Sequence, residues 1–274
     1  MEAKRLRRLS LAVLTVMIIS LCLSSCSMFE KEEEITATTE STTVTTTKPT
    51  TVIVPTTEDE KTTFAESPTN KIYEGLSKDK DGKYPYKLAE YTTRYNASDK
   101  SRTANLEAAA EKIDNIKLPK NRVFSFNQTV GKRTVTAGYE EAKVIKDGEF
   151  VDGLGGGVCQ VSSTLFQSIL RADMKIVYRT NHSLAISYVP MGGDATVQWN
   201  SKDFQFKNTT GTDVRLSMKC QNGRLICTVW GKDDVDIGNV KISITKSKDV
   251  YTLVRTVDGK ENYRTNSKYK AAKQ

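Results

Sequence analysis

The chain has 274 residues, with 41 Lys and Arg against 33 Asp and Glu, a formal net charge of +8, five cysteines and a single histidine. A positive charge of that size admits nucleic acid, lipid head groups, wall polymers or peptide carboxylates as partners. The export signal at the N-terminus excludes nucleic acid.

Residues 1–26 read as that signal. Lys4, Arg5, Arg7 and Arg8 precede an apolar run from Leu9 to Leu23, too short for a comfortable membrane span but right for a signal-peptide core. The run ends in Leu23-Ser24-Ser25-Cys26, which resembles the bacterial lipobox and implies that Cys26 is diacylated and becomes the new N-terminus; the other reading is an uncleaved anchor helix. Two or three acyl chains hold a protein firmly to a membrane. Residues 27–70 carry three lysines against nine acidic residues, with fourteen threonines from Thr36 to Thr63. They have too few apolar side chains to offset the entropy of folding, so a disordered stalk is predicted. Residues 71–274 hold 34 Lys and Arg against 23 Asp and Glu, which makes a basic domain on an acidic stalk. We divide this part into a globular domain, 71–240, and a short C-terminal β extension, 241–274, that frays near Lys270.

In chain order, the spacing of Leu106, Ala109, Ala110 and Ile113 predicts a helix from Thr103 to Asn115. "RVFSFN" reads as a strand. "AKVIKDGEFVDG" reads as a hairpin turning at Asp147-Gly148. A second helix begins near Cys159 and carries Val161, Leu165, Ile169 and Ala172 on one face. From Lys175 the pattern is β, with strands expected at "KIVYRT", "SLAISYV", "ATVQW", "DVRLSMKC", "RLICTVW", "VKISIT" and "YTLVRTV". In "CQNGRLIC", Asn222-Gly223 signals a type I′ turn pairing Gln221 with Arg224 and Cys220 with Leu225. Cys220 and Cys227 are then expected as reduced core residues. The fold class implied is α+β: a mostly antiparallel sheet with two principal helices, the second starting near Cys159.

The stretch "GLGGGVCQVSSTLF" sets a run of glycines directly before Cys159 at a helix start. Glycines there let main-chain N–H groups turn toward a bound atom, and a helix N-terminus favours the thiolate. Thiolate and aimed N–H groups are what acyl transfer needs. The competing reading is a loop packed tightly on a sheet with Cys159 as a small buried residue. His182 follows by 23 positions at the head of "HSLAISYV", and Asp194 follows "PMGG" at the start of the next expected strand. Helix-start Cys159, strand His182 and next-strand Asp194 have the layout of a thiol–imidazole–carboxylate triad. Gly156 and Gly157 are the expected oxyanion donors, with the side chains of Gln160 and Asn127 as further candidates for oxyanion or substrate binding. The same three residues offer a zinc reading, but no second His and no C-x-x-C or H-E-x-x-H pattern supports it. No metal and no cofactor is expected.

"RVFSFNQTVG", "GGGVCQVSSTLFQSIL", "RTNHSLAISYVPMGGDATVQW" and "FQFKN" strongly resemble the VanW-like family of bacterial envelope proteins, over Tyr91 to Gly231. The resemblance implies an envelope setting and no particular reaction. The order of Cys159, His182 and Asp194 is also similar, in layout alone, to transglutaminase-like and papain-like thiol enzymes. Two functions stay open. One is a lipid-anchored, extracytoplasmic thiol amidase or acyl-transfer enzyme acting on peptidoglycan peptides. The other is a non-catalytic domain that binds peptidoglycan or an anionic wall polymer, or serves as a scaffold.

Overall fold

The computed structural model describes residues 77–78 and 83–271. The expected signal peptide, its lipidation site Cys26 and the stalk 27–70 lie outside the described residues. In chain order the elements are β1 (Ser77–Lys78), β2 (Tyr86–Arg94), α1 (Lys100–Ile113), β3 (Ile116–Leu118), β4 (Val123–Ser125), α2 (Phe126–Val130), β5 (Glu141–Lys146) and β6 (Glu149–Leu154). Then come α3 (Val158–Arg171), β7 (Lys175–Tyr178), β8 (Gln205–Lys207), β9 (Val214–Gln221), β10 (Arg224–Gly231), β11 (Val240–Ser247), β12 (Val250–Val257) and β13 (Lys260–Lys268).

The strands form four antiparallel groups: a five-stranded sheet β1-β3-β9-β10-β2, the sheets β11-β12-β13 and β4-β8-β7, and the hairpin β5-β6. This corrects the α+β expectation. Among the described residues strand takes up 42% against 19% helix, so this part is β-rich and its two 14-residue helices are the minority. Much of the difference comes from β2, which the sequence reading lacked, and from β13, which it gave only as part of a short C-terminal β extension. Both lie at sheet edges, where few side chains are buried and the apolar alternation that announces a strand is missing.

Local chemistry explains the elements that were expected. Asn222 (φ 51°) and Gly223 (φ 70°) both take the left-handed region, and the strands pair Gln221 with Arg224 and Cys220 with Leu225. Asp147 (φ 53°) and Gly148 (φ 83°) turn β5 into β6 in the same way. Helix α1 is capped by Asp99, whose carboxylate accepts the Arg102 N–H. Its Leu106, Ala109, Ala110 and Ile113 join Val214, Leu216, Leu225, Cys227 and Val229 of β9 and β10 in the core. All three cysteines in the described residues are free.

Helix α3 runs through the centre and is buried on nearly every side, including its polar residues. Those polar residues explain a second correction. Residues 181–199 form no strand, although "SLAISYV" and "ATVQW" alternate like one. At Gly193 and Ala195 the main chain pairs with α3 side chains instead: Ser162 donates to Ala195 O at 2.6 Å, Ser163 accepts from Ala195 N–H at 3.0 Å, and Gln167 donates to Gly193 O at 2.6 Å. The His182 N–H goes to Asp194 Oδ2 and the Thr196 N–H to Thr180 O. A Cβ on Gly193 would lie 2.6 Å from the Gln167 amide nitrogen. Backbone groups satisfied in this way have no need of a neighbouring strand. The C-terminal extension closes the other side, where Lys270 N–H donates to Ser183 O at 2.7 Å.

Candidate active site

Cys159 is the second residue of α3. The residue that caps the helix, Gly157, has φ 111°, and a Cβ there would meet Arg102 Cγ at 3.2 Å. Gly156 is tighter still: a Cβ would lie 2.6 Å from the Ala142 carbonyl carbon and 2.7 Å from Lys143 O. The glycine run therefore serves packing and site at once, pressing the loop onto β5 while turning the chain into the helix. The N–H groups of Gly156, Gly157 and Cys159 make no hydrogen bond among the described residues. Together with the positive end of α3 they are placed to stabilise negative charge at the thiol.

The thiol's directed hydrogen bonds go to the 196–197 segment. Cys159 Sγ donates to Val197 O at 3.4 Å and accepts from Val197 N–H at 3.5 Å, with Thr196 Oγ1 at 3.6 Å. The His182 imidazole acts on it as a nearby positive charge. Burial pushes the Cys159 thiol up, but His182, the Val197 N–H and Thr196 outweigh it and bring it down to about 7. Burial pulls His182 down, and the opposing pull of Asp194 and the Cys159 thiolate raises it to about 9. With the thiol at about 7 and the imidazole at about 9, a thiolate beside an imidazolium forms as pH rises through about 7. The other two cysteines move the opposite way: burial raises Cys220 to about 11 and Cys227 to about 12.

Behind the imidazole stands a carboxylate with both oxygens occupied. Asp194 Oδ2 accepts from His182 Nδ1 at 2.5 Å and from the His182 main-chain N–H at 2.6 Å. Asp194 Oδ1 accepts from Arg179 Nη2 at 3.1 Å and from the Tyr269 hydroxyl. Although burial works against its charge, His182 and Arg179 hold the Asp194 carboxyl below its ordinary value. Arg179 is fixed in turn by the carbonyls of Asp194 and Gly192, by Ser267 and by the Phe166 ring. On the far side of the imidazole, His182 Nε2 lies 3.3 Å from the Tyr188 hydroxyl. Burial and the charges of Cys159 and Asp194 push Tyr188 well up, so it stays a neutral phenol.

The expected set is thus only partly one site. Cys159, His182, Gly156, Gly157 and Gln160 line a single cleft of about 1590 Å³, with Asp194 bonded to the histidine. Neither His182 nor Asp194 sits on a strand. The side chains of Gln160 and Asn127 are committed elsewhere. Gln160 donates to Thr93 Oγ1 and Arg94 O and accepts from Arg102. Asn127 donates to Gln198 O and Lys202 O and accepts from Arg133. Neither amide has a donor to spare for an oxyanion. For the zinc reading, Asp194 Oδ2 is already bonded to His182 Nδ1. Among the described residues no group of three or more His, Cys, Asp and Glu is placed to hold a metal ion.

Sequence reasoning missed Arg179, Tyr188 and Tyr269 in this network. Arg179 and Tyr188 lie within the quoted "RTNHSLAISYVPMGGDATVQW" and are polar groups close to the one histidine, which is the signal that was available. Tyr269 had none, since it arrives from the C-terminal extension.

Comparison with known proteins gives a consistent picture. The family model described as "VanW like protein" matches residues 101–230. The chain is 44% identical over 149 residues to the uncharacterized protein YoaR of Bacillus subtilis strain 168, covering 54% of this chain and 49% of that protein. It is 24% identical over 131 residues to the vancomycin B-type resistance protein VanW of Enterococcus faecalis, covering 46% of this chain and 48% of that one. The chain therefore spans about half the length of both relatives. No solved structure matches it.

Proposed function

From a chain whose residues 101–230 are a VanW-like domain, we propose a cell-envelope protein that uses Cys159 for acyl transfer or hydrolysis on wall peptides. An envelope role fits the likeness to a vancomycin resistance protein. The observation that carries the chemistry is the thiol at the start of α3, brought down to about 7 beside an imidazole held by a buried carboxylate.

In this reading the Cys159 thiolate attacks the carbonyl carbon of a peptide amide. A C–S bond forms, the carbonyl π pair moves to oxygen, and the N–H groups of Gly156, Gly157 and Cys159 meet the oxyanion. As the tetrahedral intermediate collapses, the C–N bond breaks and the departing amine takes a proton from His182 Nε2. A thioester is left on Cys159. Water or an acceptor amine then attacks it, gives a proton back to His182 and regenerates the thiolate. Asp194 keeps the imidazole oriented and favours its charged form throughout. Incubating the protein with peptidoglycan stem peptides should trap an adduct on the Cys159 peptide, seen by mass spectrometry and removed by hydroxylamine. Cys159→Ala should show none. Absence of any adduct or product with intact, folded protein would sink the enzyme reading.

Purely non-catalytic wall binding is supported by the excess of Lys and Arg in residues 71–274, but it leaves the lowered thiol and its imidazole without a purpose. Anchoring through Cys26 belongs to the same proposal. Cys26→Ala is expected to lose labelled fatty acid and to be released from membranes or left unprocessed. Continued labelling and membrane retention would rule the anchor out.

A further inference from the structure

The charge of the domain is concentrated around the thiol. Eight Lys and Arg residues line the cleft that contains Cys159, against one carboxylate, Asp147. Three of the eight are engaged by the protein: Arg102 donates to Gln160, Arg133 to Asn127, and Lys143 pairs with Asp152. The other five, Arg94, Lys132, Lys146, Lys202 and Lys270, have no side-chain hydrogen bond or ion pair among the described residues. They come from separate parts of the fold: β2, the segment after α2, the end of β5, the loop before β8 and the segment after β13. Cations gathered on a concave surface with one carboxylate in its lining are a recognition surface for an anion.

Two aromatic side chains stand in the same cleft and are unusually open: Phe150 on β6 is 55% exposed and Trp199 is 37% exposed. Large aromatics left in water within a cleft are poised to cover a ligand.

We propose that the cleft binds a peptide bearing several carboxylates, with the carboxylates taken by the five unpaired cations and the chain laid across Phe150 and Trp199. This names the substrate class for the thiol chemistry proposed above and rests on that reading for its being a substrate. Carboxylates on either side of the scissile amide would hold the carbonyl over Cys159, since anchoring at both ends converts attack into an intramolecular step.

The test is fluorescence anisotropy on the full-length Cys159→Ala chain in neutral detergent, which blocks turnover. The probes are a rhodamine-labelled Glu-Ala-Glu-Ala-Glu peptide with a free C-terminus and its Gln-Ala-Gln-Ala-Gln amide twin. The acidic peptide should bind at least about ten-fold tighter than its twin at low salt, with the difference shrinking as salt rises. Lys132→Glu with Lys146→Glu, both exposed and without protein partners, should lower that affinity about ten-fold. Lys241→Glu with Lys260→Glu, exposed on the sheet β11-β12-β13 and outside the cleft, should leave it unchanged. Equal binding of the two peptides overturns the proposal, as does an equal loss from the control pair. So does binding of a phosphate polymer that tracks the cleft variants while the two peptides bind alike, which would make the cleft a groove for phosphate polymers. Selective binding with an inert Cys159 supports the anionic ligand and refutes acyl transfer. A reactive Cys159 with no peptide preference does the reverse.

Discussion

Iodoacetamide should label Cys159 with a rate that climbs through about pH 7, while Cys220 and Cys227 stay unlabelled in the folded protein. With Cys159 at about 7 and the others at about 11 and 12, thiolate fractions at neutral pH differ by at least roughly 10³-fold, and the thiolate is the nucleophile. His182→Ala should move the Cys159 profile upward, because burial then acts on the thiol without the imidazole that opposes it. Turnover should have a second limb. The thiolate forms as pH rises through about 7, and the imidazolium that protonates the leaving amine is lost as pH rises through about 9. The expected profile is a bell between these values, which belong to the coupled pair. Alkylation rate against pH by mass spectrometry decides it, with circular dichroism confirming the fold of each variant. A Cys159 that reacts only on unfolding, or with a profile indifferent to His182, would make the triad a packing motif.

How far this site was legible depends on how local each signal is. The turns at Asn222-Gly223 and Asp147-Gly148 were readable because a left-handed φ at two successive positions is a demand on those residues alone. The helix starting at Val158 was readable for the same reason: Gly157 ends one conformation and an apolar face begins another. Cys159, His182 and Asp194 were legible as a set because their residue types admit few other uses in combination. The reach of the amides was not legible. Gln160 and Asn127 look like ideal oxyanion donors in sequence, yet each is spent on carbonyls that only the folded chain brings near.

Residues 181–199 show a subtler failure. Alternating burial is present, with His182 and Leu184 inside and Ala185 outside. Alternation reports which side faces the core and says nothing of where the main-chain hydrogen bonds go. Here Ser162, Ser163 and Gln167 of α3 take those of Gly193 and Ala195, and Asp194 takes that of His182, so side chains stand where a strand partner was expected. Those bonds hold the chain on both sides of Asp194, and Asp194 in turn holds His182.

Asp194→Ala should destabilise the protein by about 3–5 kcal/mol, the scale of removing one partner from a buried ion pair. Its side chain has no exposure and that of Arg179 only 2%, so the guanidinium would be left buried and unpaired. Asp194→Asn should also be costly, about 1–3 kcal/mol for an unmet buried donor. All the partners of the carboxylate are donors, so the amide nitrogen of Asn must face either the His182 side or Arg179 whichever way it turns. Replacing both ends of the pair, Arg179→Met with Asp194→Ala, should cost less than the sum of the two single changes by about 1–3 kcal/mol. The pH dependence has a definite sign. The folded-state pKa of Asp194 lies below its unfolded value, so its stabilisation is complete above about pH 4, the unfolded range of an aspartate, and is lost as pH falls through the folded value. The gap in stability between wild type and Asp194→Ala should therefore be full at pH 7 and narrow in acid. Denaturant unfolding at both pH values measures it. A loss under about 1 kcal/mol at pH 7 with strictly additive changes would mean that Asp194 orients the imidazole without holding the fold. The retention of Arg179 and Tyr269 around it would then have to be explained by catalysis alone.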